Sequence, residues 1–332
     1  MAHDLGLNLD PTSWSLELSD ANRRIRIWWG IYIHDKWSAL GLGRPSFLND
    51  DHCTVPLPTI DNFTDTGLNN EPIGLMPALQ FVAMAALTTI LSDILNTFYT
   101  LKAVERIKLL PIEMLFSLLD QYQQRLNAWN KEHLCQLHNV NTLLDSSGSV
   151  ILAYHTVEIV LLRAVLRALP IEHIGYSSLR EQARDVLLSV VDFLEKLNVS
   201  RLRAFWWSPM TRINFALAGT FMFYQLLTSI TTHDIEFWSS TISHYRSLLR
   251  LQSHSFDMTK LACTRMDLLA AGMGIGGGEG GEEEGSEERP GEGSWDSSVG
   301  MDGLSGKAVL HLAPGSAEEW IARQGHEGVL LC

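Results

Sequence analysis

Cysteine is scarce in this sequence, and net positive charge is missing. The four cysteines of the 332 residues, Cys53, Cys135, Cys263 and Cys332, stand far apart, and no pair has Cys-x-x-Cys spacing. A zinc ribbon and a thioredoxin-type redox motif are thereby excluded. Scattered thiols in a chain of this size read as reduced cysteines of an intracellular protein. Charged residues are 19% of the chain, below the usual share of about a quarter. With 46% hydrophobic residues that excludes a disordered polyelectrolyte. Acids outnumber bases 38 to 25, so nothing predicts unspecific affinity for nucleic-acid phosphates. Met1 to Leu9 has neither a basic n-region nor an apolar run, and no secretory leader is expected. Strand signals are also lacking: no segment alternates, and no Asn-Gly or Asp-Gly turn joins β-type runs.

What is present is helical periodicity and aromatic bulk. The ten tryptophans need a core or an interface to bury them. After the potential caps Leu18-Ser19-Asp20, apolar residues recur at Ile25, Trp28, Trp29, Tyr32 and Ile33, on one helix face. Gly41 and Gly43 are expected to end that helix and Pro45 to prevent its continuation. Residues 44–72, with Pro45, Pro56, Pro58 and Pro72 among Asn and Asp, read as a long loop without regular structure. Helical patterns follow over 73–109 (Pro77 in or near the first turn), 112–132, 149–169, 177–198, 209–230 (opened by Ser208-Pro209) and 233–270, the last broken once. The expected fold is an all-α, multi-helix domain over residues 1–271.

Residues 272–332 change character. They hold 16 of the 25 glycines and carry 12 acids against 3 bases, a net of −9 out of the chain's −13. Such a stretch cannot bury enough apolar surface to fold and is read as a disordered, acidic Gly/Glu-rich tail.

Several chemical motifs are weaker than their spelling. Gly272-Met273-Gly274-Ile275-Gly276-Gly277 matches G-x-G-x-x-G, but it follows a helix and no βαβ unit surrounds it. His133, Cys135 and His138 lack an obvious fourth ligand for structural zinc. His34-Asp35 are neighbours on a helix and do not face each other, and no G-x-S-x-G nucleophile motif occurs. Trp28-Trp29 and Trp206-Trp207 are read as core rather than as a ligand box. Residues 72–92 and 213–232 lack charge over lengths near a bilayer span. They carry polar residues and no strong basic flank, so they are read as buried helices, with no membrane partner. The alternative from another class is a helical enzyme of specialised metabolism, using Asp50 and Asp51 to hold magnesium for a diphosphate substrate.

One ordered set is more specific. Arg23-Arg24, Trp28-Trp29, Tyr32, Asp35-Lys36, Gly43-Arg44-Pro45, Asp50 and Val55-Pro56-Leu57-Pro58 follow one another between residues 23 and 58. This set resembles the signature of the fungal-specific transcription factor domain, the middle homology region of the binuclear zinc cluster regulators. Arg24-Ile25-Arg26-Ile27-Trp28-Trp29 and His34-Asp35-Lys36-Trp37 further resemble general nitrogen-regulation co-activators. The resemblance implies a nuclear regulator of RNA polymerase II transcription, not an enzyme. It implies other transcriptional regulators or co-activators as partners, and a small-molecule effector. The family's zinc belongs to an N-terminal cluster of six cysteines, and there is no Cys before Cys53 here. No cofactor is therefore expected in this chain, and DNA is expected to be reached only through another domain or a partner.

The motif has its own physical reading, as a structural clamp. Arg23, Arg24 and Arg26 near the helix start need facing acids. Asp35 pairs with an arginine, Gly43 reverses the chain, and Arg44 folds back on Asp35 or Asp50 in carboxylate–guanidinium forks. Val55-Pro56-Leu57-Pro58 then runs extended over the apolar face.

Overall fold

A computed structural model describes residues 2–66, 72–139, 147–197 and 208–273. Among these residues it is all-α, with no strand. The elements are α1 (Leu18–Leu42), 3-10 turns at Asp50–His52 and Ile60–Thr66, α2 (Pro72–Phe98), α3 (Leu101–Lys108), and α4 (Ile112–Trp129). A π-helical turn (Asn130–Leu134) runs on from α4 into the short α5 (Cys135–Asn139). Then come α6 (Gly148–Ala168), α7 (Gly175–Glu195), α8 (Ser208–Leu227), α9 (Thr232–Ser253) and α10 (Asp257–Gly272). The acidic tail from residue 274 onward and Trp206-Trp207 lie outside the described residues.

Helix α6 is the axis of the packing. It touches α2 and α4 on one side and α7 and α8 on the other. Its branched residues Val150, Val157, Ile159 and Val165 are all buried, so it is apolar around most of its circumference, as a central helix must be. Helices α2 and α6 are both long and apolar enough to cross a bilayer; 67% and 78% of their most apolar windows are buried inside the fold. The second charge-free stretch, 213–232, is instead the body of α8 and the turn into α9. Three aromatic tips in this core are satisfied by carbonyls of other helices. Trp129 Nε1 donates to Ala83 O (2.9 Å), Tyr99 to Val160 O (2.7 Å) and Tyr245 to Phe215 O (2.9 Å).

Several helix boundaries differ from the sequence expectation, each for a physical reason. Gly41 does not end α1. It lies inside the helix where α1 meets α8, and a Cβ there would stand 2.1 Å from Ile213 Cδ1. Gly43 is the true stop, with φ +60°. Arg44 N donates to Ala39 O at 3.1 Å beyond it, closing the helix with a left-handed residue that glycine adopts without cost. Ser19 and Asp20 do not cap α1: the helix starts after Glu17, and Asp20 sits in the first turn, 3.3 Å from Arg23. The stretch 73–109 divides at Thr100, whose hydroxyl accepts from Ala103 N (3.1 Å) and caps α3. Pro77 lies inside α2, because Pro72 already occupies its first turn. The loop after α1 is not wholly irregular, since its two 3-10 turns interrupt it. The expected break in 233–270 falls between Ser253 and Asp257.

Candidate functional site

The face of α1 that buries Ile25, Trp28, Trp29, Tyr32 and Ile33 carries Lys36 in the same stripe. Around this stripe the chain between Gly43 and Thr66 is wrapped as a strap. Its attachment is mostly side chain to backbone, which holds an extended segment that makes no ladder of its own.

Asp35 is the first anchor. Its Oδ1 accepts from Phe47 N and its Oδ2 from Leu48 N, both at 3.0 Å, and the Ser46 hydroxyl donates to Oδ2 as well. This corrects the expected arginine fork. Arg44 makes no ion pair with Asp35 or Asp50; it is exposed and lies 5.3 Å over the Phe47 ring. Backbone N–H groups left bare by the turn after Pro45 are nearer to Asp35 than any guanidinium, and they take its lone pairs.

Lys36 is the second anchor, and motif reasoning gave it no role. Its side chain is only 2% exposed. The ammonium donates to Leu48 O at 2.6 Å, stands 3.2 Å from Asp50 Oδ1, and lies 5.0 Å over the Tyr32 ring. Asp50 Oδ2 accepts from Ser92 of α2 at 2.6 Å, so the cluster joins α1, the strap and α2. Burial pushes the Tyr32 phenol far above its usual range, and the Asp50 carboxylate adds to that push. The signal in the sequence was a lysine at a position of the apolar stripe, seven residues after Trp29 and four after Tyr32.

The tryptophans divide their work. Trp28 is fully buried. Trp29 packs edge-on against Tyr32, with ring centres 5.0 Å apart, and its Nε1 donates to Pro56 O at 2.7 Å. That bond holds the extended Val55-Pro56-Leu57-Pro58 run, with Val55 and Pro58 buried and Pro56 and Leu57 exposed. Trp37 Nε1 donates to Thr88 Oγ1 of α2 at 2.9 Å. Arg24 does not enter the strap: it donates to Leu5 O at 2.5 Å and stacks over Trp14 at 4.8 Å, fixing the N-terminal segment. Arg26 meets Asp65 through two bonds of 2.6 and 2.9 Å and also donates to Asn62 O. That pairing holds the Asp65 carboxyl below its usual range. Of the three arginines at the start of α1, Arg23 and Arg26 therefore meet acids, Asp20 and Asp65, whereas Arg24 meets a carbonyl and a ring.

Asp50 and Asp51 do not act together. Asp50 faces Lys36 and Ser92, while Asp51 is an exposed residue whose N–H donates to Asn49 Oδ1 at 3.1 Å. No group of three or more metal-ligating side chains occurs among the described residues. Of the His-Cys-His triplet, His133 is half-buried in the π-helical turn, Cys135 is exposed, and the His138 side chain lies outside the described residues.

Beside the strap lies a cavity of about 530 Å³ between α2 and α4. Leu57, Pro58 and Ile60 roof it, and Leu79, Val82 and Ala86 of α2 form one wall. The facing wall carries Arg125 and Trp129 of α4, then Glu132 and His133 of the π-helical turn.

Residues 1–142 match the fungal specific transcription factor domain. The chain is 28% identical to the transcriptional activator protein DAL81 of Saccharomyces cerevisiae over 320 residues, covering 82% of this chain and 32% of that protein. It is 33% identical over 102 residues to an uncharacterized transcriptional regulatory protein of Schizosaccharomyces pombe, covering 31% of this chain and 15% of that protein. It is 30% identical over 106 residues to the activatory protein CHA4 of S. cerevisiae, covering 28% and 16%. The chain thus spans about a third or less of the length of these relatives. No solved structure matches. The relatives are transcriptional regulators by name, and none supports the magnesium-dependent enzyme.

Proposed function

We propose that this chain, whose residues 1–142 carry a fungal specific transcription factor domain, is the regulatory and interaction part of a fungal regulator of RNA polymerase II transcription, acting in the nucleus on metabolic genes. Residues 1–271 form the regulatory unit and 272–332 an acidic tail. Its partners are other transcriptional regulators or co-activators, DNA is reached through another segment or a partner, and a small molecule sets its activity. The observation that carries this reading is that the 23–58 motif lies inside the matched region and that its buried members are spent on internal anchoring.

Within that function the motif is a structural clamp. Asp35, Lys36 and Trp29 fix the strap so that the surface built from α1, the strap and α2 keeps one shape. Gly43 and Asp50 complete it, Arg24 ties the N-terminal segment to the same helix, and Arg44, Pro45 and Leu57 lie on the exposed side.

The test is to tether the chain to a heterologous DNA-binding domain in yeast, upstream of a reporter. Output that departs from that of the DNA-binding domain alone, in either direction, is the expected result. Unchanged output from a soluble, nuclear fusion in several nitrogen and carbon sources overturns the proposal. Fluorescence microscopy of the tagged native protein checks the nuclear assignment independently.

A further inference from the structure

We infer that the cavity between α2 and α4 is a binding site for a small organic ammonium ion with an apolar body. The inference deepens the regulator reading, from which it takes only the expectation of a small-molecule effector. The site itself rests on geometry.

Its volume, about 530 Å³, falls in the range of small-molecule sites, roughly 300–1,000 Å³. On α2 the lining residues Leu79, Val82, Ala86 and Thr89 recur at spacings of three and four, which places them in one row. All four are only half-buried although their neighbours in the same helix are fully buried. The row therefore faces unfilled space rather than a packed neighbour. The opposite row runs from Arg125 through Trp129 to Glu132, His133 and Gln136. It crosses a π-helical turn, an insertion that occurs mostly as single turns and often at functional sites.

The charges in this row select the ligand. Arg125 is already answered by Asp93, 2.7 Å away. Glu132 makes no ion pair among the described residues, so the rim has an unmatched negative charge. His133 stands 5.5 Å from the Trp129 ring. Burial lowers its pKa, so it is neutral at pH 7 and keeps one ring nitrogen as an acceptor. Trp129 is buried and stacked on Tyr154, with ring centres 5.4 Å apart, so it forms the wall, and the Glu132 carboxylate and the His133 acceptor beside it together suit an ammonium group. The apolar wall and the Leu57–Ile60 roof suit its hydrocarbon part. Among the lining residues the cation is Arg125, already paired with Asp93, so an anionic ligand would meet Glu132 without a free lining cation to offset it.

The test uses the purified full chain and three probes of one shape, 4-phenylbutylamine, 4-phenylbutanol and 4-phenylbutyrate, followed by calorimetry and thermal melting. The amine is expected to bind saturably and raise the Tm, the alcohol to bind more weakly, and the carboxylate not to bind. Glu132→Gln, an exposed substitution that leaves packing untouched, should weaken the amine about fivefold, the size of a partly exposed ion pair. It should leave the alcohol unchanged. Ala86→Leu should abolish binding of every probe by filling the groove, with the urea midpoint as the check that the variant is folded. Absence of binding by all three probes overturns the site. So does a carboxylate that binds as well as the amine, or an amine indifferent to Glu132→Gln. The tethered reporter is read separately. A silent reporter with a bound amine overturns the regulator reading alone, and an active reporter with no probe binding overturns this site alone.

Discussion

Residues 43–66 and residues 208–272 pack against neighbouring parts of the same helix α1, yet they are held by different forces. The strap contains two short 3-10 turns and otherwise no regular structure. It is tied by polar bonds reaching back 12 to 40 residues, from Asp35, Lys36, Trp29 and Asn22. The C-terminal helices α8, α9 and α10 satisfy their own backbones and meet through side-chain volume. Phe215, Met222, Ile242, Leu249, Ala262 and Met266 are all buried there. Gly219 admits Met266 so closely that a Cβ would stand 2.2 Å from its Sδ. Among the described residues, Tyr245 makes one long-range polar contact inside that region, to Phe215 O, and others sit at its edges. Arg180 of α7 closes the end of α8 through the carbonyls of Gln225 and Thr228, each at 2.9 Å. Arg246 and Arg250 share Asp267, at 2.9 and 2.8 Å. The difference teaches where each region is vulnerable. A strap without its own ladder depends on a few anchors, whereas packed helices depend on the fit of many atoms.

The sharpest way to break that contrast is Lys36→Ala. It leaves Asp50 and the Leu48 carbonyl without their buried partner, and the expected loss is about 3 kcal/mol of stability by urea unfolding. Lys36→Met, which keeps the stem in place, should lose less. Equal losses would show that the charge and not the packed stem is the anchor, and a Met variant as stable as the native chain would show the reverse. In the C-terminal region Gly219→Val should cost about 2 kcal/mol through overpacking against Met266. A neutral result would show that α8 and α10 can slide apart. Asp35→Ala should cost about 1.5 kcal/mol, because the freed N–H groups of Phe47 and Leu48 can be hydrated. Proteolysis should then begin within residues 43–66, with the C-terminal helices intact. Arg44→Ala should change stability by less than about 0.5 kcal/mol, as expected for an exposed side chain without an ion pair. A loss equal to that of Asp35→Ala would restore the arginine fork that the geometry replaces.

Much of the helical architecture was legible beforehand because a 3.6-residue period survives in the residues themselves. The stripes of α1, α4 and α7 and the Ser208-Pro209 start of α8 all lie where the pattern puts them. Glycine was legible only in part. Gly43 and Gly41 look alike in sequence, but one needs a positive φ and the other needs room for Ile213. The motif residues were legible as a set, through Trp28, Trp29, Tyr32, Asp35 and the Pro56–Pro58 run. Their pairing was not. A carboxylate near an arginine suggests an ion pair, and nothing in the spelling shows that three backbone and hydroxyl donors will arrive at Asp35 first.

By itself, then, the sequence determined an all-helical chain, the aromatic face of α1, the stop at Gly43 and the resemblance carried by residues 23–58. Each is a local property, set by periodicity, by backbone sterics or by residue order. Tertiary structure alone decided that Lys36 is buried between Leu48 and Asp50 and that Arg44 is left outside. It also decided that a half-buried row of α2 stands apart from α4 across a cavity. Those outcomes depend on which groups from distant parts of the chain reach the same few ångströms. That is settled by the competition among all the packed elements for buried volume and for hydrogen-bond partners.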